Sequence, residues 1–136
     1  MTTKPNKKTI HFALWLAQIL LAAMFIMAGA MKLFQSVEAL TTALPWVSST
    51  PINLVRFIGL SELLGGLGLV LPSLLRIKPV LSIWAAYGLS TVMLLAALFH
   101  GSRGEFSAIG VNLVLIAIAL FIAWGRGNKA PIIAKS

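Results

Sequence analysis

Four long apolar stretches dominate this 136-residue chain and constrain its fold more than any other feature. A bilayer core takes about 20 residues of helix to cross. Residues 12–31, 53–71, 79–99 and 106–124 come close to or meet that length. Their apolar residues run continuously rather than alternating, which favours helices over barrel strands. Composition agrees: 59% of the residues are hydrophobic and 10% charged, against roughly 25% charged in soluble domains. The expectation is an all-α polytopic membrane protein, a four-transmembrane-helix bundle forming one domain over residues 1–136. Pro51, Pro72 and Pro79 punctuate span ends, and Gly125 and Gly127 close the fourth span. In the longest loop, Val37, Leu40 and Leu44 recur at helical spacing, which predicts a short interfacial helix over about 36–44.

The formal charge of +8 comes from 11 basic and 3 acidic residues, with no Asp. Lys4, Lys7, Lys8, Arg76, Lys78, Arg126, Lys129 and Lys135 fall on the two tails and the loop between spans two and three. Lys32, Arg56 and Arg103 fall on the other side, with all three acids, Glu38, Glu62 and Glu105. The excess of Lys and Arg marks the cytoplasmic face, so both termini are expected in the cytoplasm, with the chain in the inner (plasma) membrane. Trp15, Trp84 and Trp124 sit near the cytoplasmic ends of their spans, and Trp46 belongs to the outer interface. The basic start and Ala28-Gly29-Ala30 imitate a secretory leader. The first apolar run exceeds the roughly 7–15 residues of a signal core, so it reads as a retained span.

Several function classes drop out. The basic tails are short and lack interleaved aromatics, so nucleic acid is not an expected partner. The absence of Cys excludes thiolate metal sites and dithiol chemistry carried by this chain. The two histidines fall on opposite sides of the membrane, so no metal site is expected. No phosphate loop, nucleophile triad or dinucleotide motif occurs, so no catalytic residue is assigned.

Inside hydrocarbon, helices associate through small residues and shared hydrogen bonds. Each span carries one stripe of that kind: Gln18, Ala22, Phe25, Gly29 and Lys32; Val55, Gly59, Glu62 and Gly66; Ala86, Ser90, Met93, Ala97 and His100; Ala108, Asn112, Ala119 and Ala123. Glu62 and Asn112 lie at matching depths, about 9 Å in from the outer ends at ~1.5 Å per residue, and Lys32 and His100 sit at outer span ends. Lys32, Glu62, His100 and Asn112 are therefore the expected ligand-binding set, with Arg56, Arg103 and Glu105 at its mouth. Arg56 and Glu62 lie about 120° apart around their helix and are not expected to pair. Glu62 is the leading candidate, because an ionisable group inside a span costs at least about 2.5 kcal/mol unless it has a partner or a role. It reads either as a proton acceptor or ligand anchor, or as half of an interhelical salt bridge. Gln18, Tyr87 and the glycines of span two read as structural.

These residues resemble the DoxX-like family of small four-span bacterial membrane proteins. The resemblance rests on Gly29-Ala30-Met31-Lys32-Leu33, on Phe57 through Gly65 continuing to Pro72, on His100-Gly101-Ser102-Arg103-Gly104-Glu105, and on Asn112. It implies a link to membrane oxidoreductase assemblies that pass electrons to quinone, or to oxidative stress. The expected function is an accessory or assembly subunit of a quinone-linked oxidoreductase system, without independent catalysis. Its expected partners are the bilayer, oxidoreductase subunits and a lipophilic ligand, for which a quinone is the implied cofactor. The alternatives are a small proton-coupled transporter centred on Glu62 and a structural adaptor without ligand.

Overall fold

The structure, a computed structural model, describes residues 6–136; Lys4 lies outside the described residues. It is all-helical among the described residues. Helix α1 spans Lys7–Phe34, α2 Val37–Ala43, α3 Ile52–Leu75, α4 Val80–Ser102 and α5 Phe106–Trp124. A 3-10 turn covers Pro45–Ser49, and a wider π-type turn carries α5 on through Gly125–Lys129. Four helices, α1, α3, α4 and α5, are long and apolar enough to cross a membrane.

Several of these elements begin or end for a local reason. The Asn6 side chain accepts from the backbone N–H of Lys8 at 2.8 Å and caps α1, and Ser36 caps α2 through Ala39 N–H at 3.1 Å. Pro45 opens the 3-10 turn, where a missing N–H costs nothing. Helix α3 ends at Arg76, whose φ of 58° turns the chain into α4.

The spans pack α1 on α3, α3 on α4 and α4 on α5, with a lighter α1–α5 contact closing the ring. The expected stripes face inward. Gln18, Ala22, Phe25, Gly29 and Lys32 of α1, and Val55, Gly59, Glu62 and Gly66 of α3, are all buried. Large apolar residues such as Phe12, Met27, Trp84 and Leu98 are exposed around the outside. A chain with polar stripes inside and an apolar surface outside is built for lipid, where packing and internal hydrogen bonds hold helices together. Both tails reach the same end: Arg126 touches His11, and the backbone N–H of Lys135 donates to the carbonyl of Arg76 at 2.9 Å.

The structure adjusts three sequence expectations. Pro72 does not end its span. It lies in the last turn of α3, where its missing N–H forfeits only the bond to the Gly68 carbonyl one turn back, and the helix runs to Leu75. Ser73, read as a loop residue, is consequently helical and buried. Gly125 caps the α-helical part of the fourth span after Trp124, as expected, but the chain goes on through a π-type turn, Gly125–Lys129, rather than stopping. Gly125 is buried against Leu14, whose side chain would overlap any added Cβ, so this glycine serves close packing. The short helix starts and ends within the range foreseen, but it does more than rest on a membrane surface. Leu40 is fully buried and packs with Val47 and Val55, so α2 and the 3-10 turn form a cap over one end of the bundle.

Candidate functional site

The capped end of the bundle holds a cavity of about 580 Å³. Its geometry starts with two glycines. A Cβ on Gly29 would lie 2.5 Å from the carbonyl oxygen of Gly59, and one on Gly59 would lie 2.7 Å from Cβ of Lys32. Only hydrogen at these positions lets α1 and α3 cross this closely. The crossing places Lys32, one turn beyond Gly29, beside Glu62, one turn beyond Gly59. Lys32 Nζ donates to Glu62 Oε2 at 2.8 Å, and both side chains are more than nine-tenths buried.

Lys32, Glu62, His100 and Asn112 all line this cavity, in walls that are otherwise mainly apolar and include Met24, Phe25, Phe57, Met93 and Leu115. Asn112 is buried, and its Nδ2 has no hydrogen-bond partner. An amide that makes no bond in an apolar site carries a desolvation penalty of about 1–3 kcal/mol until an acceptor arrives. Trp46, from the 3-10 turn, stands edge-on to Phe99 and to His100, with ring centroids 5.9 and 6.4 Å away, and lines the cavity at the cap.

Arg56, Arg103 and Glu105 are not among the wall residues. Each holds a neighbour in place. Arg56 Nη1 donates to the carbonyls of Lys32 and Gln35, at 2.6 and 2.7 Å, and so satisfies the C-terminal end of α1. As expected, it makes no pair with Glu62. Arg103 Nη1 donates to Ser49 Oγ at 2.7 Å, tying the cap to the α4–α5 turn. Arg103 also bonds to Glu105, whose other oxygen lies 3.1 Å from His100 Nδ1. The Arg103 hydrogen bond holds the Glu105 carboxyl below the ordinary carboxylate range; desolvation opposes it, and His100 adds to it. An ionised carboxylate only accepts, so Nδ1 carries the proton, and Nε2 is the basic nitrogen of a neutral His100 ring.

A second polar group, at the opposite end, was missed as a unit. Gln18 is fully buried; its Nε2 donates to the carbonyl of Leu69 and, at 3.4 Å, to Ser73 Oγ. Ser73 Oγ donates to Ser82 Oγ at 2.7 Å. Arg126 Nε donates to Gln18 Oε1 at 2.7 Å, and its Nη1 to His11 Nδ1 at 3.0 Å and to the Ala130 carbonyl at 2.9 Å. Arg126 reads in the sequence as a topology charge on a tail, yet it is 3% exposed. The signal was available: Asn112, Ala119, Ala123 and Arg126 continue one helical stripe at spacings of seven, four and three. The glycines on either side made the helix seem to stop short of it.

No group of His, Cys, Asp and Glu able to hold a metal ion occurs among the described residues. A family model described as DoxX-like matches residues 16–122, which reaches into all four spans and includes Lys32, Glu62, His100 and Asn112. No curated protein matches the chain, and no solved structure does.

Proposed function

This chain belongs to the DoxX-like family, and we propose that it is a ligand-holding accessory or assembly subunit of a quinone-linked membrane oxidoreductase system. The observation that carries the ligand part is the single cavity of about 580 Å³ that gathers Lys32, Glu62, His100 and Asn112 within apolar walls. A lipophilic ring needs a largely apolar enclosure and a few fixed polar groups to orient it. The oxidoreductase link rests on the resemblance to the family.

The lining residues fit a quinone headgroup. The unpartnered Asn112 Nδ2 is a donor for a carbonyl oxygen. Lys32 Nζ has one described bond, to Glu62, and an ammonium has three N–H groups, so it can also serve a second acceptor. A bound quinone would supply two-electron, two-proton redox chemistry. The chain's part is to orient the ring and to hold protons at defined atoms. His100 Nε2 can take up a proton at the cavity while Glu105 steadies the ring through Nδ1. Trp46, edge-on to His100, gives the quinone ring an aromatic neighbour at the headgroup end. With the positive-inside reading of the tails, this end faces away from the cytoplasm.

One observation favours a second reading. The Lys32–Glu62 pair is closed at 2.8 Å, and such a pair can serve only to fix the packing of α1 on α3 in an adaptor without ligand. Purification from native membranes, followed by mass spectrometry of co-purifying lipids and proteins, separates the two. The ligand reading expects a quinone or an oxidoreductase subunit to co-purify with the wild type, and the quinone to be lost from a folded Glu62→Gln variant. Recovery of neither quinone nor oxidoreductase from the wild type would overturn it in favour of the adaptor.

A further inference from the structure

The second polar group has a charge with nothing to balance it. Guanidinium offers five N–H donors. Arg126 spends three, on Gln18, His11 and Ala130, all on acceptors without formal charge. Its Nη2, with two N–H groups, is buried and has no partner. The three acidic residues lie elsewhere: Glu62 pairs with Lys32, Glu105 with Arg103 and His100, and Glu38 is exposed on α2, in the cap at the other end. A buried, unpaired charge is strongly disfavoured unless an anion completes it.

Arg126 also lines a second cavity of about 240 Å³, together with Ser73, Pro79, Val80, Ile83, Pro131 and Ile132. This is well above the roughly 30 Å³ share of one water. The C-terminal segment forms one wall. Arg76 Nε donates to the Ile133 carbonyl at 2.7 Å, which holds that segment across the α3–α4 turn. Val80 is exposed on the outside of α4 next to Leu81 and Trp84, so the notch opens onto an apolar helix face.

We propose that this notch binds a phosphate-bearing anion through Arg126 Nη2, supplied as the headgroup of an anionic phospholipid or as free phosphate. Guanidinium suits it, because the N–H groups left on Nη2 carry positive charge and make charge-assisted hydrogen bonds to phosphate oxygens. A lipid bound there would lay its chains along the exposed face of α4. Lys78 and Lys129, both exposed, draw anions towards this end without holding them in the notch.

The test uses the full chain, delipidated in a neutral, phosphate-free detergent. Phosphatidylglycerol and phosphatidylcholine are titrated separately and retained lipid is counted by native mass spectrometry; thermal unfolding is followed in parallel for each lipid and for inorganic phosphate. The wild type should prefer phosphatidylglycerol by about tenfold, the scale of one charge-assisted bond. Arg126→Gln should erase that preference, and Lys78→Gln with Lys129→Gln should remove only its salt-sensitive part. Stabilisation by inorganic phosphate as large as that by the lipid assigns the site to the free anion, and stabilisation by the lipid alone assigns it to the headgroup. A wild type that neither prefers the anionic lipid nor responds to phosphate overturns the proposal, as does full preference in Arg126→Gln. If Arg126→Gln does not fold, Ile132→Trp fills the notch and leaves the guanidinium bonds intact; undiminished preference in that variant overturns it equally.

Discussion

The two ends of the bundle each bury a cation, and they treat it differently. At the capped end, Lys32 is matched by Glu62 at 2.8 Å, inside the chain. At the end where the tails meet, Arg126 sits among a glutamine oxygen, a histidine nitrogen and a backbone carbonyl, with no carboxylate. The first end is neutral in itself and stands beside a large, mostly apolar cavity. The second keeps its charge and stands beside a small notch with a free donor. A neutral end suits a ligand held by shape and a few hydrogen bonds, while a charged end suits an anion.

That contrast predicts an order of effects. The largest belongs to Glu62→Ala, which strands Lys32 in the interior and should cost about 3–5 kcal/mol. The double variant Lys32→Met, Glu62→Leu should recover most of this loss in detergent unfolding measurements. If the double variant is as unstable as the single, the pair is not a self-neutralised unit and the comparison breaks. Next comes Gly29→Leu. Its side chain would meet the backbone of Gly59 and Leu63, which cannot swing aside. The expected cost is about 1–3 kcal/mol, and crosslinking of cysteines placed on α1 and α3 should report the helices moving apart.

Arg126→Met should cost less, about 1–2 kcal/mol, because it removes the uncompensated charge along with its bonds to neutral partners. A loss as large as that of Glu62→Ala would mean that Arg126 is balanced within the chain. The smallest effect is a pH effect at the cap. Glu105 has its pKa lowered by Arg103, so its contribution is fully present above the ordinary carboxylate range and is lost as pH falls through the lowered value. Acidification to below about pH 4 should loosen the cap, read as a change in Trp46 fluorescence in a variant retaining only that tryptophan. Glu105→Gln should remove most of this pH dependence.

Much of this architecture is legible in the sequence, since hydrocarbon leaves few solutions for long apolar runs and the small and polar residues of each run mark its inward face. The stripes ending in Lys32 and running through Glu62 are examples: their spacing alone brings them to one depth, and Gly29 and Gly59 bring their backbones together. Arg126 and Ser73 were harder to read. Proline and glycine are ordinarily taken as helix stops, but near a helix end Pro72 disrupts little, and at Gly125 the lack of a side chain answers a packing need set by Leu14, more than a hundred residues earlier. The roles of Arg56, Arg103 and Glu105 depend on which carbonyls and hydroxyls come near them, which spacing along one helix does not encode.

The central claim is that the cavity lined by Lys32, Glu62, His100 and Asn112 holds a lipophilic ring. Photoaffinity labelling with a short-tailed azidobenzoquinone, followed by peptide mapping, tests it most directly. The expected result is saturable labelling confined to the cavity-lining parts of α1, α3, α4 and α5 near the cap, competed by unlabelled quinone and weakened by Asn112→Leu. Labelling spread over lipid-facing residues such as Met27, Trp84 and Leu98, with no saturation, would contradict it.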